Sequence, residues 1–201
     1  MSEMVYIVDD DTGLREALLG LMRSFGLEAA AFESVPAFLQ HQRADCASCL
    51  VLDVRLRGGS GLDFHAELLR QGETLPVVFM TGHGDIPMSV RAMKAGAVDF
   101  LAKPFREQDL LDAVTAALEG DRKRRAEHEA GEGLRKRFES LTPREREIMG
   151  LAVRGLMNKQ IAGEVGTSEI TVKIHRGNAM KKMQARTFAD LVRMAEALGL
   201  K

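Results

Sequence analysis

The chain has 201 residues, 45% of them hydrophobic and 28% charged, a balance ordinary for one or two globular domains. Its longest apolar run is about six residues, Leu75 to Met80, far short of the ~20 that span a bilayer, and no leader-type pattern opens the sequence. No membrane partner and a cytoplasmic location are expected. The net charge of −1 hides an asymmetry: residues 1–120 carry 10 Lys+Arg against 18 Asp+Glu, and residues 121–201 carry 18 against 11. An acidic domain joined to a basic one points to a polyanionic partner for the second.

Residues 4–120 alternate short apolar runs (MVYIV, EAAAF, CLVLD, PVVFM, VDFL) with stretches of helical spacing such as Leu14, Leu18, Leu21, Met22 and Phe25. This pattern predicts crossover units and an α/β, doubly wound, five-stranded parallel sheet covered on both faces. In such sheets functional groups gather beyond the carboxyl ends of the strands. Asp9, Asp10 and Asp11 follow the first run, Asp53 ends the third, Thr81 follows the fourth, and Lys103, before Pro104, follows the fifth. Crowded carboxylates are tolerable when a hard cation neutralises them, and Mg²⁺ suits a few carboxylates with retained waters. With a lysine and a hydroxyl beside it, such a site can hold a phosphoryl group, and an Asp there can form an aspartyl phosphate.

Cys46 and Cys49 invite a redox or zinc reading. They run into a strand pattern rather than opening a helix, and only His41 lies near as a further ligand. Two reduced structural cysteines are expected.

The set Asp9-Asp10, Asp53, Thr81 and Lys103-Pro104 resembles the receiver domain of two-component response regulators, over residues 1–120. The stretches TGHGDIPMSVRAMKAGAVDFLAKPF and VLDVRL resemble its FixJ-type subgroup. The resemblance implies a flavodoxin-like fold with Asp53 as phosphoacceptor, charged by a cognate sensor histidine kinase. Asp9, Asp10, Asp53 and the backbone carbonyl of Arg55 would hold Mg²⁺, Lys103 would pair with the phosphoryl group, and Thr81 and Phe100 would be the switch residues. Such a domain catalyses only its own phosphotransfer and autodephosphorylation. Asp11 needs no more than a place near the first helix N-terminus. Gly58 and Gly59 lead us to expect a loose loop after Asp53. Arg55 and His83, each two residues beyond a site residue, are candidates for setting phosphate lifetime. Two alternatives stand beside this reading. One is a receiver look-alike that regulates DNA binding without phosphorylation. The other is a haloacid-dehalogenase-type phosphatase, whose D-x-D-G-T pattern Asp9–Gly13 approaches with the last two letters reversed.

Residues 121–138 are highly charged, and Gly131 and Gly133 interrupt a run of good helix formers. A partly helical connector containing a hinge is expected there. Residues 139–201 read as four helices, the first announced by Thr142, Pro143 and Glu145 as a capping box. The others run over roughly 158–164, 168–183 and 187–198, with Asn158, Ser168 and Thr187 as caps. The connector Val165-Gly166-Thr167 suits a helix-turn-helix. On the third helix Val172, Ala179 and Met183 share one stripe, which leaves Ile170, Lys173, Ile174, Gly177 and Lys181 opposite. Lysines beside an unburied isoleucine suit a DNA major groove.

LTPRE, NKQIA and S-x-x-TVK-x-H make this segment resemble the LuxR/FixJ-type (NarL/FixJ) DNA-binding domain. The resemblance implies that Lys173 and Ile174 read base edges, with Arg176 and Lys181 available for the backbone or further bases. It also implies binding of double-stranded promoter DNA and work beside RNA polymerase, most naturally in activation. Phosphorylation is expected to drive a homodimer through the fourth helix and fifth strand, with Val90 as apolar contact and Arg91 and Lys94 meeting Asp99 of the other subunit. Val90 could instead belong to the domain's own core.

Overall fold

A computed structural model describes residues 3–82 and 86–200, so His83 lies outside the described residues. The chain divides into two compact units, residues 1–125 and 126–201. In the first, strands β1 (Glu3–Val8), β2 (Glu28–Phe32), β3 (Ala47–Asp53), β4 (Val77–Thr81) and β5 (Asp99–Ala102) form one parallel sheet in the order β2-β1-β3-β4-β5. Helices α1 (Thr12–Ser24), α2 (Val35–Gln40), α3 (Gly61–Arg70) and α4 (Ile86–Lys94) connect them, and α5 (Glu107–Glu139) follows. This is the predicted doubly wound fold.

Alternation along the strands makes two cores. Val5, Ile7, Cys49, Val51, Val78 and Met80 bury one face with Leu18 and Met22 of α1 and Leu110, Val114 and Leu118 of α5. Tyr6, Val8, Leu50, Leu52 and Phe79 bury the other with Phe38 and Leu68. Strands flanked on both faces must be apolar at every position, which is why the runs carry no polar residue until their ends. Cys46 and Cys49 are free, and burial pushes the Cys49 thiol up to about 12. It packs as a small apolar group.

Where a partly helical connector is expected, α5 is helical through Gly131 and Gly133. Each glycine costs about 1 kcal/mol relative to alanine, but Ala, Glu, Lys and Arg surround them and tertiary contacts hold both ends. Asp121, fully buried, accepts from the Ser48 N–H (3.0 Å) and from Arg124. Arg122 pairs with Glu3 and Arg125 with Asp45. Further along, Leu134 and Phe138 pack on the core of the second unit, around Leu141, Met149 and Met183.

That unit continues with α6 (Pro143–Val153), α7 (Asn158–Val165), α8 (Glu169–Met183) and α9 (Phe188–Ala197). Thr142 accepts from the Glu145 N–H (3.2 Å) while Glu145 accepts from the Thr142 N–H (2.8 Å), the predicted capping box. Ser168 and Thr187 cap α8 and α9 as expected. Asn158 does not cap α7. Met157 holds that position, and its N–H is taken by Gln160 (2.8 Å).

Glu145 also receives Lys182 Nζ at 2.7 Å, which ties α6 to α8. Burial alone would raise its carboxyl, but the donors Lys182 and Thr142 outweigh it and hold the group below the usual carboxylate range. A carboxyl depressed on folding stabilises at pH above its unfolded value, about 4.3, and that contribution is lost as pH falls through the lower folded value. Glu145→Ala is therefore expected to cost the second unit about 1–2 kcal/mol at pH 7. Denaturant titrations of wild type and variant should show the gap closing below about pH 4. A gap of the same size at pH 3 would contradict the assignment.

Candidate functional site

The carboxyl ends of β1, β3 and β5 bring one ammonium against two carboxylates. Lys103 Nζ lies 2.6 Å from Asp9 Oδ2 and 2.6 Å from Asp53 Oδ2. The remaining oxygens are held by backbone: Asp9 Oδ1 accepts from the Asp11 N–H (2.9 Å) and Asp53 Oδ1 from the Arg55 N–H (2.8 Å). Lys103 is placed by its own N–H, which donates to the Thr81 carbonyl (2.7 Å), and the Asp9 N–H donates to the Phe32 carbonyl (3.2 Å). Arg15 steadies the Asp9 carbonyl at 2.7 Å. Asp9, Asp53 and Thr81 are buried.

Burial raises the Asp9 carboxyl despite the lysine beside it. For Lys103, burial works downward, but its bonds to Asp53 and Asp9 carry the ammonium above its ordinary value. Asp10 is half-buried and pairs with Arg57 Nε at 3.1 Å. Asp11 is the N-cap of α1, and its bond from the Leu14 N–H (3.0 Å) lowers its carboxyl. It plays the modest part expected of it.

Among the described residues, Asp9, Asp10 and Asp53 offer one oxygen each within 4.8 Å of one another. Three carboxylates around one ammonium leave an excess of negative charge, and an all-oxygen donor set suits a hard dication such as Mg²⁺. These residues fit that ion. A carboxylate between an ammonium and such a cation can act as a nucleophile toward phosphorus.

The loop after Asp53 is tighter than the sequence suggests. Arg55–Leu56 pairs antiparallel with Gly59–Ser60, and Gly58 closes the turn at φ 103°. The glycine supplies a backbone shape that other residues resist. Gly61 escaped the sequence reading altogether. A Cβ there would lie 2.3 Å from the Asp53 carbonyl oxygen and 3.1 Å from Leu52. A glycine in a Ser-Gly pair before a helix gives no hint of what stands behind it. Gly61→Ala is expected to displace α3 from Asp53, with a loss of ~1–3 kcal/mol in receiver stability. Thermal denaturation checks this, and an unchanged midpoint would show that the backbone yields freely.

Phe100 is half-buried and packs on the core that includes Phe79. Asp99 Oδ1 accepts from the Phe100 N–H at 2.7 Å. Val90 is 44% exposed and so is not a core residue of its own domain. Arg91, Lys94 and the Arg55 side chain are exposed as well.

On α8, Val172, Ala179 and Met183 are fully buried, whereas Ile170 is 74% and Ile174 57% exposed. Lys173, Gly177 and Lys181 share the open side. Arg176 is engaged within the domain. Its guanidinium donates to Asn158 Oδ1 at 2.6 Å and lies over the Phe188 ring at 4.9 Å, so it clasps α7, α8 and α9 together. A planar, delocalised cation both stacks and donates, and the Asn158 side chain, inside the first turn of α7, accepts from it.

A parallel sheet with acidic groups and a lysine at its switch point, and a helix-turn-helix with an open basic helix, define a class: a receiver combined with a DNA-binding domain. Comparison with known proteins agrees. Residues 5–115 match the family described as response regulator receiver domain, and residues 139–195 the bacterial regulatory proteins of the luxR family. The chain belongs to the response regulators that combine these two domains. It is 58% identical over 197 residues to nodulation protein W of Bradyrhizobium diazoefficiens, covering 98% of this chain and 87% of that one. To the transcriptional regulatory protein FixJ of Azorhizobium caulinodans it is 41% identical, covering 98% and 93%. The solved structure of the response regulator StyR matches with a TM-score of 0.90 and 48% identity, over 98% of this chain and 99% of that one. No helix among the described residues is long and apolar enough to cross a membrane.

Proposed function

We propose that the protein is a phosphorylation-controlled transcription regulator with Asp53 as its phosphoacceptor. The observation that carries this reading is the double contact of Lys103 with Asp9 and Asp53, each at 2.6 Å. It marks Asp53 as a buried carboxylate already held by the cation that a transferred phosphoryl group would need. The donor is a phosphohistidine of a sensor kinase. An Asp53 oxygen attacks phosphorus, the phosphorus–nitrogen bond breaks, and the imidazole leaves with its electron pair. Asp9, Asp10, Asp53 and the Arg55 carbonyl would hold Mg²⁺, which supplies charge neutralisation for the phosphoryl oxygens. Lys103 turns from carboxylate to phosphoryl oxygen, and the Thr81 hydroxyl and Phe100 ring follow inward as the switch. The face with Val90, Arg91, Lys94 and Asp99 then pairs two copies reciprocally. The dimer sets two α8 helices on half-sites about one helical turn apart. Lys173 and Lys181 reach bases or phosphates and Ile174 meets a thymine methyl, so that RNA polymerase is recruited at the promoter. Arg176 serves the domain from within rather than touching DNA.

Labelled acetyl phosphate with Mg²⁺ tests the acceptor. Wild type and Asp11→Asn are expected to take up label, and Asp53→Asn none. Label persisting on Asp53→Asn would move the nucleophile to another carboxylate and favour the phosphatase alternative.

A further inference from the structure

Arg57 stands on the turn of the hairpin that follows Asp53, with Gly58 closing that turn beside it. Its side chain is 88% exposed, yet Nε lies 3.1 Å from Asp10 Oδ2, on a carboxylate only 27% exposed. Asp10 is also one of the three carboxylates whose oxygens converge within 4.8 Å. Lys103 engages the other two. Each member of the acidic trio therefore has a cationic partner, and the partner of Asp10 comes from the loop rather than from the sheet.

We propose that Arg57 is a positioning residue that competes with the divalent cation for Asp10. This rests on the reading of the trio as the Mg²⁺ site. For Asp10 to ligate a cation, Oδ2 must turn from the guanidinium or share it, and a guanidinium so near opposes the incoming charge. The pair is largely solvated, so its hold on Asp10 is modest. Arg57 sets the Mg²⁺ concentration at which the site fills and leaves the acceptor and the lysine untouched. The competition weakens with salt, because screening acts on an exposed pair and much less on the buried Lys103 contacts.

Isothermal titration of the intact chain with MgCl₂ alone tests this without any phosphoryl donor. Arg57→Ala is expected to bind Mg²⁺ roughly two- to five-fold tighter than wild type at low ionic strength, and the gap should narrow near 0.5 M salt. Arg57→Lys should stay near wild type, since a cation still reaches Asp10. The control is Arg106→Ala, which removes the same charge from the exposed loop after β5, where Arg106 pairs with Asp109 and touches none of the three carboxylates, and should shift the affinity less. Equal affinity of Arg57→Ala and wild type would overturn the inference, as would equal shifts in the two alanine variants, which indicate only a diffuse field. If wild type binds no Mg²⁺, or Asp10→Asn binds it as well as wild type, the reading of the metal site fails and the competition falls with it.

Discussion

The receiver is organised around one constraint: two buried carboxylates need a cation, and the chain has to bring it from a strand that is not next to theirs. Asp9 follows β1, Asp53 ends β3, and Lys103 follows β5, with β4 lying between β3 and β5. Burying unpaired charge is costly, so the ammonium at 2.6 Å from both carboxylates makes the site and the strand order mutually dependent. A close fit of α3 adjoins the same site. The backbone of Asp53 lies directly against Gly61, where a Cβ would meet the carbonyl oxygen. A phosphoryl group added at Asp53, as proposed, would disturb this balance of charge around Lys103.

The second unit obeys a different logic. It carries little buried charge, and its helices are joined by a few polar clasps at their ends. Glu145 ties α6 to α8 through Lys182, and Arg176 ties α8 to α7 and α9. Both clasps act on α8. The result is a helix fixed on its buried side and left with lysines and isoleucines on the other. Ile174, 57% exposed beside Lys173 and Lys181, is the apolar part of the face proposed to meet bases.

Much of this was legible from residue order. The five strands are continuous apolar runs bounded by polar residues, and the acids and the lysine fall directly after them, so the edge that gathers the site followed from topology alone. Thr142 and Ser168 showed their helix starts because cap chemistry is local. What escaped depends on contacts between distant segments. The clasp of Arg176 needs Asn158 and Phe188 to arrive in place, and the role of Gly61 needs the backbone of Asp53. The glycines of α5 mislead because propensity is a weak prior that neighbouring helix formers and tertiary anchors such as Asp121 override. Conversely, Gly58 looks like slack but allows a closed hairpin, because its positive φ tightens the turn that Gly59 then continues as a strand.

The proposed regulation is control of the open face of α8 in the second unit by the acidic site of the first. It is tested most directly by the affinity of the intact chain for a duplex that it selects from a random pool. Affinity is measured by fluorescence anisotropy with Mg²⁺ alone, and again with Mg²⁺ and beryllofluoride as a stand-in for the phosphoryl group. The account predicts that beryllofluoride tightens binding by roughly 5- to 150-fold, the usual range of coupling between two sites, and that Asp53→Asn shows no response. Equal affinities for wild type under the two conditions would contradict it and leave the receiver without control over DNA binding.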